Sequence, residues 1–148
     1  MTNNDILRRL RYALNYNNME VVKVMAHVGK EVKTAEVGLW IQAEDAVELT
    51  DRDLCQFLDG LIIEKRGLQP GGSVPEPQEK ISNNEILKKL RIALSLRDEG
   101  MIAVFKKAEF VVTKSELGSF FRKEGQRNYA ICTEQVLRKF IHGLGQGV

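Results

Sequence analysis

Ten residues near the start of the chain return in register eighty residues later. Thr2-Asn3-Asn4-Asp5-Ile6-Leu7-Arg8-Arg9-Leu10-Arg11 lies over Ser82-Asn83-Asn84-Glu85-Ile86-Leu87-Lys88-Lys89-Leu90-Arg91, and Ala13-Leu14 over Ala93-Leu94. The same shift pairs Glu36 with Glu116, Gly38 with Gly118, Trp40 with Phe120 and Glu44 with Glu124. Three residues then enter the second copy. A shift of 83 pairs Thr50, Leu54, Phe57, Gly60 and Leu61 with Thr133, Leu137, Phe140, Gly143 and Leu144. Thirteen of 42 positions are identical in the first block and five of 13 in the last, which marks an internal duplication. All three prolines (Pro70, Pro75, Pro77) fall between the copies beside Gly71 and Gly72, a linker composition. The organisation expected is a helical repeat over 1–67, a linker over 68–81 and a second helical repeat over 82–148.

Each copy reads as four helices. Helix one carries apolar residues at 6, 7, 10, 13 and 14, and at 86, 87, 90, 93 and 94, a 3.6-residue period. Thr2-x-x-Asp5 and Ser82-x-x-Glu85 are capping boxes, with Ile81 placed to staple onto Ile86. Helix two is expected to start at the N-caps Asn18 and Asp98. Helix three spans about Thr34 to Ala43 and Lys114 to Lys123, the latter behind the capping box Thr113-x-x-Glu116. Helix four follows Thr50 and Thr133, with Asp51 and Glu134 at the favourable end of its dipole. Phe110-Val111-Val112 is too short to found a sheet. The fold class is all-α, two homologous four-helix repeats packed about a pseudo-twofold axis. Repeats of about 65 residues bury too little surface alone. Trp40, Phe57, Phe120 and Phe140 are expected in the core.

The ordered motifs Asn83-Asn84-x-Ile86-Leu87-Lys88-Lys89-Leu90-Arg91, Glu116-Leu117 to Phe120-Phe121-Arg122-Lys123 with Asn128-Tyr129, and Phe57-Leu58-x-Gly60-Leu61-Ile62 to Lys65-Arg66-Gly67 resemble the YehS-like family of small bacterial proteins. The resemblance covers residues 2–67 and 82–144. It implies a bacterial cytosolic protein with a duplicated helical domain, and brings no catalytic or cofactor-binding residue with it.

Composition excludes several classes. The longest apolar run, Met101-Ile102-Ala103-Val104-Phe105, is far short of the ~18 residues of a membrane span. The opening Met1-Thr2-Asn3-Asn4-Asp5 does not read as a secretory signal, and two cysteines make no disulfide framework, so a cytoplasmic location is expected. His27 and His142 lie in different segments without a nearby thiol, so no metal site is expected and both read as surface or boundary residues. Cys55 borders the apolar stripe of helix four and reads as a small hydrophobe. Cys132, just before a helix cap, is a weak nucleophile candidate. Walker A, G-x-S-x-G and H-E-x-x-H motifs are absent, and Gly143-Leu144-Gly145-Gln146-Gly147 reads as a frayed terminus. The paired carboxylates Glu44-Asp45 read as a solvated helix end. No catalytic residue and no cofactor are expected.

Two features stand out. Gly38/Gly118 and Gly60/Gly143 sit inside helices in both copies, where each costs about 1 kcal/mol, so close helix contacts are expected at all four. Helix one is basic in both copies (Arg8, Arg9, Arg11; Lys88, Lys89, Arg91), and the second half adds Arg122, Lys123 and Arg127. Residues 1–70 hold 9 basic and 11 acidic side chains, net −2; residues 71–148 hold 13 and 9, net +4. These nine basic residues are the candidate partner-binding set. Helices two and three do not form a helix-turn-helix reader, because Thr34-Ala35-Glu36-Val37-Gly38-Leu39-Trp40 offers an acid and a core face. The function expected is a non-enzymatic cytosolic binding or adaptor module with a macromolecular partner. The alternative is a nucleic-acid-binding regulator using the basic helix-one faces and the positive second repeat. A homo-oligomer is compatible with the same sequence, since exposed and interface-forming apolar residues look alike. Finally, Arg11 is expected to pair with Glu36, and Arg91 with Glu116, tying helix one to helix three.

Overall fold

The computed structural model describes residues 1–42 and 47–146. Among these it is all helical: α1 (Asn3–Ala13), α2 (Asn18–Ala26), α3 (Thr34–Trp40), α4 (Asp51–Arg66), α5 (Asn83–Ala93), α6 (Asp98–Lys107), α7 (Lys114–Ser119) and α8 (Glu134–Leu144). The boxes at Thr2/Asp5, Ser82/Glu85 and Thr113/Glu116 close as the spacing predicts. Helix two starts one residue earlier than expected. Asn17 caps α2 in a capping box with Glu20, whereas Arg97 precedes α6 with no side-chain cap.

Helix three is shorter than its apolar pattern suggests, and a buried asparagine explains why. Asn4 Nδ2 donates to the Trp40 carbonyl at 2.9 Å and to the Val47 carbonyl at 2.7 Å, while Asn4 Oδ1 accepts from Leu49 N–H at 2.9 Å. Asn84 repeats the clamp on the carbonyls of Phe120 (3.0 Å) and Ala130 (2.8 Å) and on Cys132 N–H (2.9 Å). Each amide gathers the end of helix three and the start of helix four. A buried amide without such partners would be strongly unfavourable, so the satisfied clamp ties the end of helix three to the approach to helix four.

Within each repeat, helix two packs across helix four through a glycine. A Cβ on Gly60 would stand 2.2 Å from the Val24 carbonyl oxygen, and one on Gly143 would stand 2.0 Å from that of Val104. The expectation of close contact holds there and fails at the other pair. A Cβ on Gly38 would be 3.7 Å from Asn18 Nδ2, and one on Gly118 would meet nothing within 4 Å.

Between repeats the packing is reciprocal. Helix one of each copy lies on helix four of the other, α1 on α8 and α5 on α4, the signature of a pseudo-twofold axis. Matching contacts at the helix starts follow the same relation: Ile81 N–H donates to Asp51 Oδ2 at 3.0 Å, and the Met1 amino group meets Glu134. One apolar core runs through both copies and includes Trp40, Phe57, Phe120 and Phe140, as the sequence predicts. The tail corrects the reading of a frayed end. Gly143 is a buried α8 residue, and Gly145 backs onto Ala13 of α1, whose Cα lies 3.4 Å from where a Cβ would stand. Ala43, the carboxylate pair Glu44-Asp45, and Gly147 lie outside the described residues.

Candidate binding surfaces

The nine basic candidates divide by what their neighbours do with them. In repeat one, Arg8 reaches over the end of α3. Its Nε donates to the Ile41 carbonyl at 2.9 Å and Nη2 to the Gln42 carbonyl at 2.7 Å, while Nη1 pairs with Asp5. Arg11 Nε donates to Asn18 Oδ1 at 3.0 Å. In repeat two, Arg91 pairs with Asp98 at 2.8 Å, donates to the Leu96 carbonyl at 3.2 Å and stacks its guanidinium 4.7 Å from the Phe121 ring centre. Lys89 Nζ lies 2.5 Å from Asp59 Oδ1, and that carboxylate is only 3% exposed.

These contacts overturn the expected Arg–Glu pairs. Arg11 and Arg91 turn instead to the equivalent residues Asn18 and Asp98 at the start of helix two. Glu36 and Glu116 fold back on their own helix starts, accepting from Lys33 N–H at 3.0 Å and Thr113 N–H at 3.2 Å. The capping signal and the ion-pair signal both pointed at Glu116. The cap is the local contact, requiring no long-range placement, and it prevails.

The remaining candidates form no ion pair among the described residues. Lys88, Arg122 and Lys123 line one cleft of about 260 Å³ between α5 and the segment after α7, together with Phe120, Phe121, Tyr129, Glu85 and Glu124. Arg127 is exposed on the adjoining loop. Burial raises the Glu85 carboxyl, but bonds from Gln78 and from Ser82 outweigh it and hold the group below its ordinary value. Arg9 lies on the groove between α1 and α8, which Arg8 also lines, with Tyr12, Ala13, Ile141 and His142. No sequence pattern marks this groove, because its walls come from distant parts of the chain.

Burial favours the protonated form of both thiols. Burial pushes Cys132 up to about 12, which removes the weak nucleophile reading. Cys55 is also buried and raised by burial; Gln78 N–H donates to its sulfur at 3.4 Å, and the sulfur lies 3.4 Å from Asp59 Oδ2. His27 Nε2 faces Glu64 at 3.2 Å on the surface. Among the described residues no three His, Cys, Asp or Glu side chains cluster as a metal site, and no helix is long and apolar enough to cross a membrane.

The chain matches the family described as "Protein of unknown function (DUF1456)" twice, over residues 3–67 and 83–146. The two matches coincide with the two copies. It is also 37% identical over 147 residues to the uncharacterized protein YehS of Escherichia coli (strain K12), covering 97% of this chain and 94% of that protein. No solved structure matches.

Proposed function

The chain belongs to the DUF1456 family of proteins of unknown function, and from that premise we propose that it is a non-enzymatic binding module of the bacterial cytosol. Its partner is a macromolecule presenting acidic groups, held at the cleft of repeat two. The observation that carries this reading is the contrast between positions 8 and 88. Arg8 is tied to Asp5 and two carbonyls, whereas its counterpart Lys88 is exposed beside Arg122 and Lys123. Cations lining one cleft that form no ion pair among the described residues repel one another, and an acidic group on a partner relieves that repulsion. Phe121 and Tyr129 add aromatic surface of the kind that anchors protein interfaces.

A nucleic-acid partner draws on the net charge of +4 in residues 71–148. Two observations weigh against it. Arg8, Arg11, Lys89 and Arg91 are engaged inside the molecule, so the helix-one faces are not continuous basic stripes. Glu85 and Glu124 also line the cleft and interrupt the basic surface that a continuous phosphate backbone would follow, whereas a protein can meet both signs of charge with separate groups.

Affinity capture from native cytosol separates the readings when protein and nucleic acid are both identified. The wild type is expected to retain an acidic protein, with at least tenfold less on Lys88→Glu/Arg122→Glu/Lys123→Glu of equal melting temperature. Capture of nucleic acid with steep salt dependence would favour the alternative. Equal capture of the same protein by both forms would remove the cleft from the proposal.

A further inference from the structure

We propose that the repeat-two cleft seats an arginine side chain of its acidic partner, in the place that the chain's own Arg8 fills in repeat one. The inference rests on the reading of the cleft as the acidic partner's site, and it names the group that meets the glutamates there.

Repeat one shows how such a seat is built. Just past the end of α3, the Ile41 and Gln42 carbonyls accept from Arg8 Nε and Nη2 at 2.9 Å and 2.7 Å, while Nη1 pairs with Asp5. A planar guanidinium, with its donors fixed in a fork, can satisfy two successive carbonyls and a carboxylate at once.

Repeat two rebuilds the frame and changes the occupant. Asn84 clamps the Phe120 carbonyl as Asn4 clamps that of Trp40, and the backbone turns at 121 and bends at 122 as it does at 41 and 42. Glu85 stands for Asp5, although it also accepts from Ser82 and Gln78. Lys88 stands for Arg8, and an ammonium lacks the fork. Lys88 is exposed and makes no hydrogen bond or ion pair among the described residues. The carbonyls of Phe121 and Arg122, counterparts of the two that hold Arg8, accept no hydrogen bond from any described residue. Both residues line the cleft of about 260 Å³.

The remaining walls suit the same guest. Glu124 lines the cleft, exposed and without an ion pair among the described residues. The Phe121 ring already carries one guanidinium, that of Arg91, 4.7 Å from its centre, and Tyr129 offers a second aromatic face. Lys88, Arg122 and Lys123 would repel a lone arginine. The guest is therefore an arginine flanked by acidic residues, whose carboxylates answer those three cations.

A display library of acidic octapeptides with one randomised central position, selected on the intact protein, tests the inference. Arginine is expected to be enriched at that position. By fluorescence anisotropy, an enriched peptide should weaken at least tenfold when its arginine is replaced by citrulline, which keeps the shape and removes the charge. The decisive variant is Lys88→Arg, which conserves charge but lets the chain fill its own seat. Its melting temperature should be at or above wild type, and the arginine and citrulline peptides should bind it equally. Lys88→Gln loses the charge without filling the seat, so it should weaken both peptides and keep the tenfold preference. Acidic peptides retained with no preference for arginine, or a preference that survives Lys88→Arg, would overturn the inference and leave the acidic-partner reading standing. Retention of no acidic peptide, or retention that Lys88→Glu/Arg122→Glu/Lys123→Glu does not reduce, would overturn both.

Discussion

At the α4–α5 seam an ammonium and a carboxylate meet inside the protein; at the α1–α8 seam the equivalent positions hold the exposed guanidinium of Arg9 and the exposed imidazole of His142. The helices nevertheless cross in the same reciprocal way. The residues common to both copies, Asn4/Asn84 and Gly60/Gly143, therefore set the geometry. The residues that differ set the charge of each seam.

The largest expected effect comes from breaking the closed seam. Lys89→Met leaves Asp59 buried without its counter-ion and should destabilise by about 3 kcal/mol in urea unfolding. Arg9→Met at the twin position should stay within about 0.5 kcal/mol. Equal losses would show that the seams are electrostatically alike.

The glycines come next. Gly60→Ala and Gly143→Ala each drive a methyl into a carbonyl oxygen and should destabilise by about 2–3 kcal/mol. Gly118→Ala has open space and should stabilise by up to about 1 kcal/mol. We expect both damaging changes to shift one common unfolding transition, because the repeats share a core. Two transitions, each retained in the separated halves, would refute that single unit.

A smaller effect is visible in acid. The Asp51 carboxyl is held below its ordinary value, first by Asn3 Nδ2 donating at 2.7 Å and also by Ile81 N–H, against the raising effect of burial. A lowered native pKa means the folded state favours the ionised form. Its contribution is fully present above the unfolded value of about 4 and is lost as pH falls through the lower native one. Unfolding midpoints measured from pH 5 to pH 2 should fall more steeply for wild type than for Asp51→Asn.

The smallest change concerns the turn after helix two. Gly29 has φ of 77°, and its counterpart Glu109 adopts φ of 56° in the same turn. A side chain in that left-handed region is strained, so Glu109→Gly should stabilise by about 1 kcal/mol. The reverse exchange, Gly29→Glu, should destabilise by a similar amount.

Much of the helix plan was legible because it depends on local signals. Capping residues and apolar periodicity located the eight helices of the described residues, and identity between copies exposed the duplication. The limits of helix three were not legible, since the Asn4 and Asn84 amides that end it act from another helix. The basic stripe was legible as composition but not as a surface. Whether Arg8 faces solvent or two carbonyls depends on where α3 ends, and Lys89 meets Asp59 only across the seam. The α1–α8 groove, made from distant parts of the chain, has no sequence signature at all.

The reciprocal seating of helix one on helix four makes this molecule, in effect, a homodimer joined into one polypeptide. A true symmetric dimer has a single sequence for both of its contacts, so any change made in one appears in the other. Covalent fusion lifts that constraint. The two contacts can then diverge, each by its own substitutions, without unsettling the shared axis.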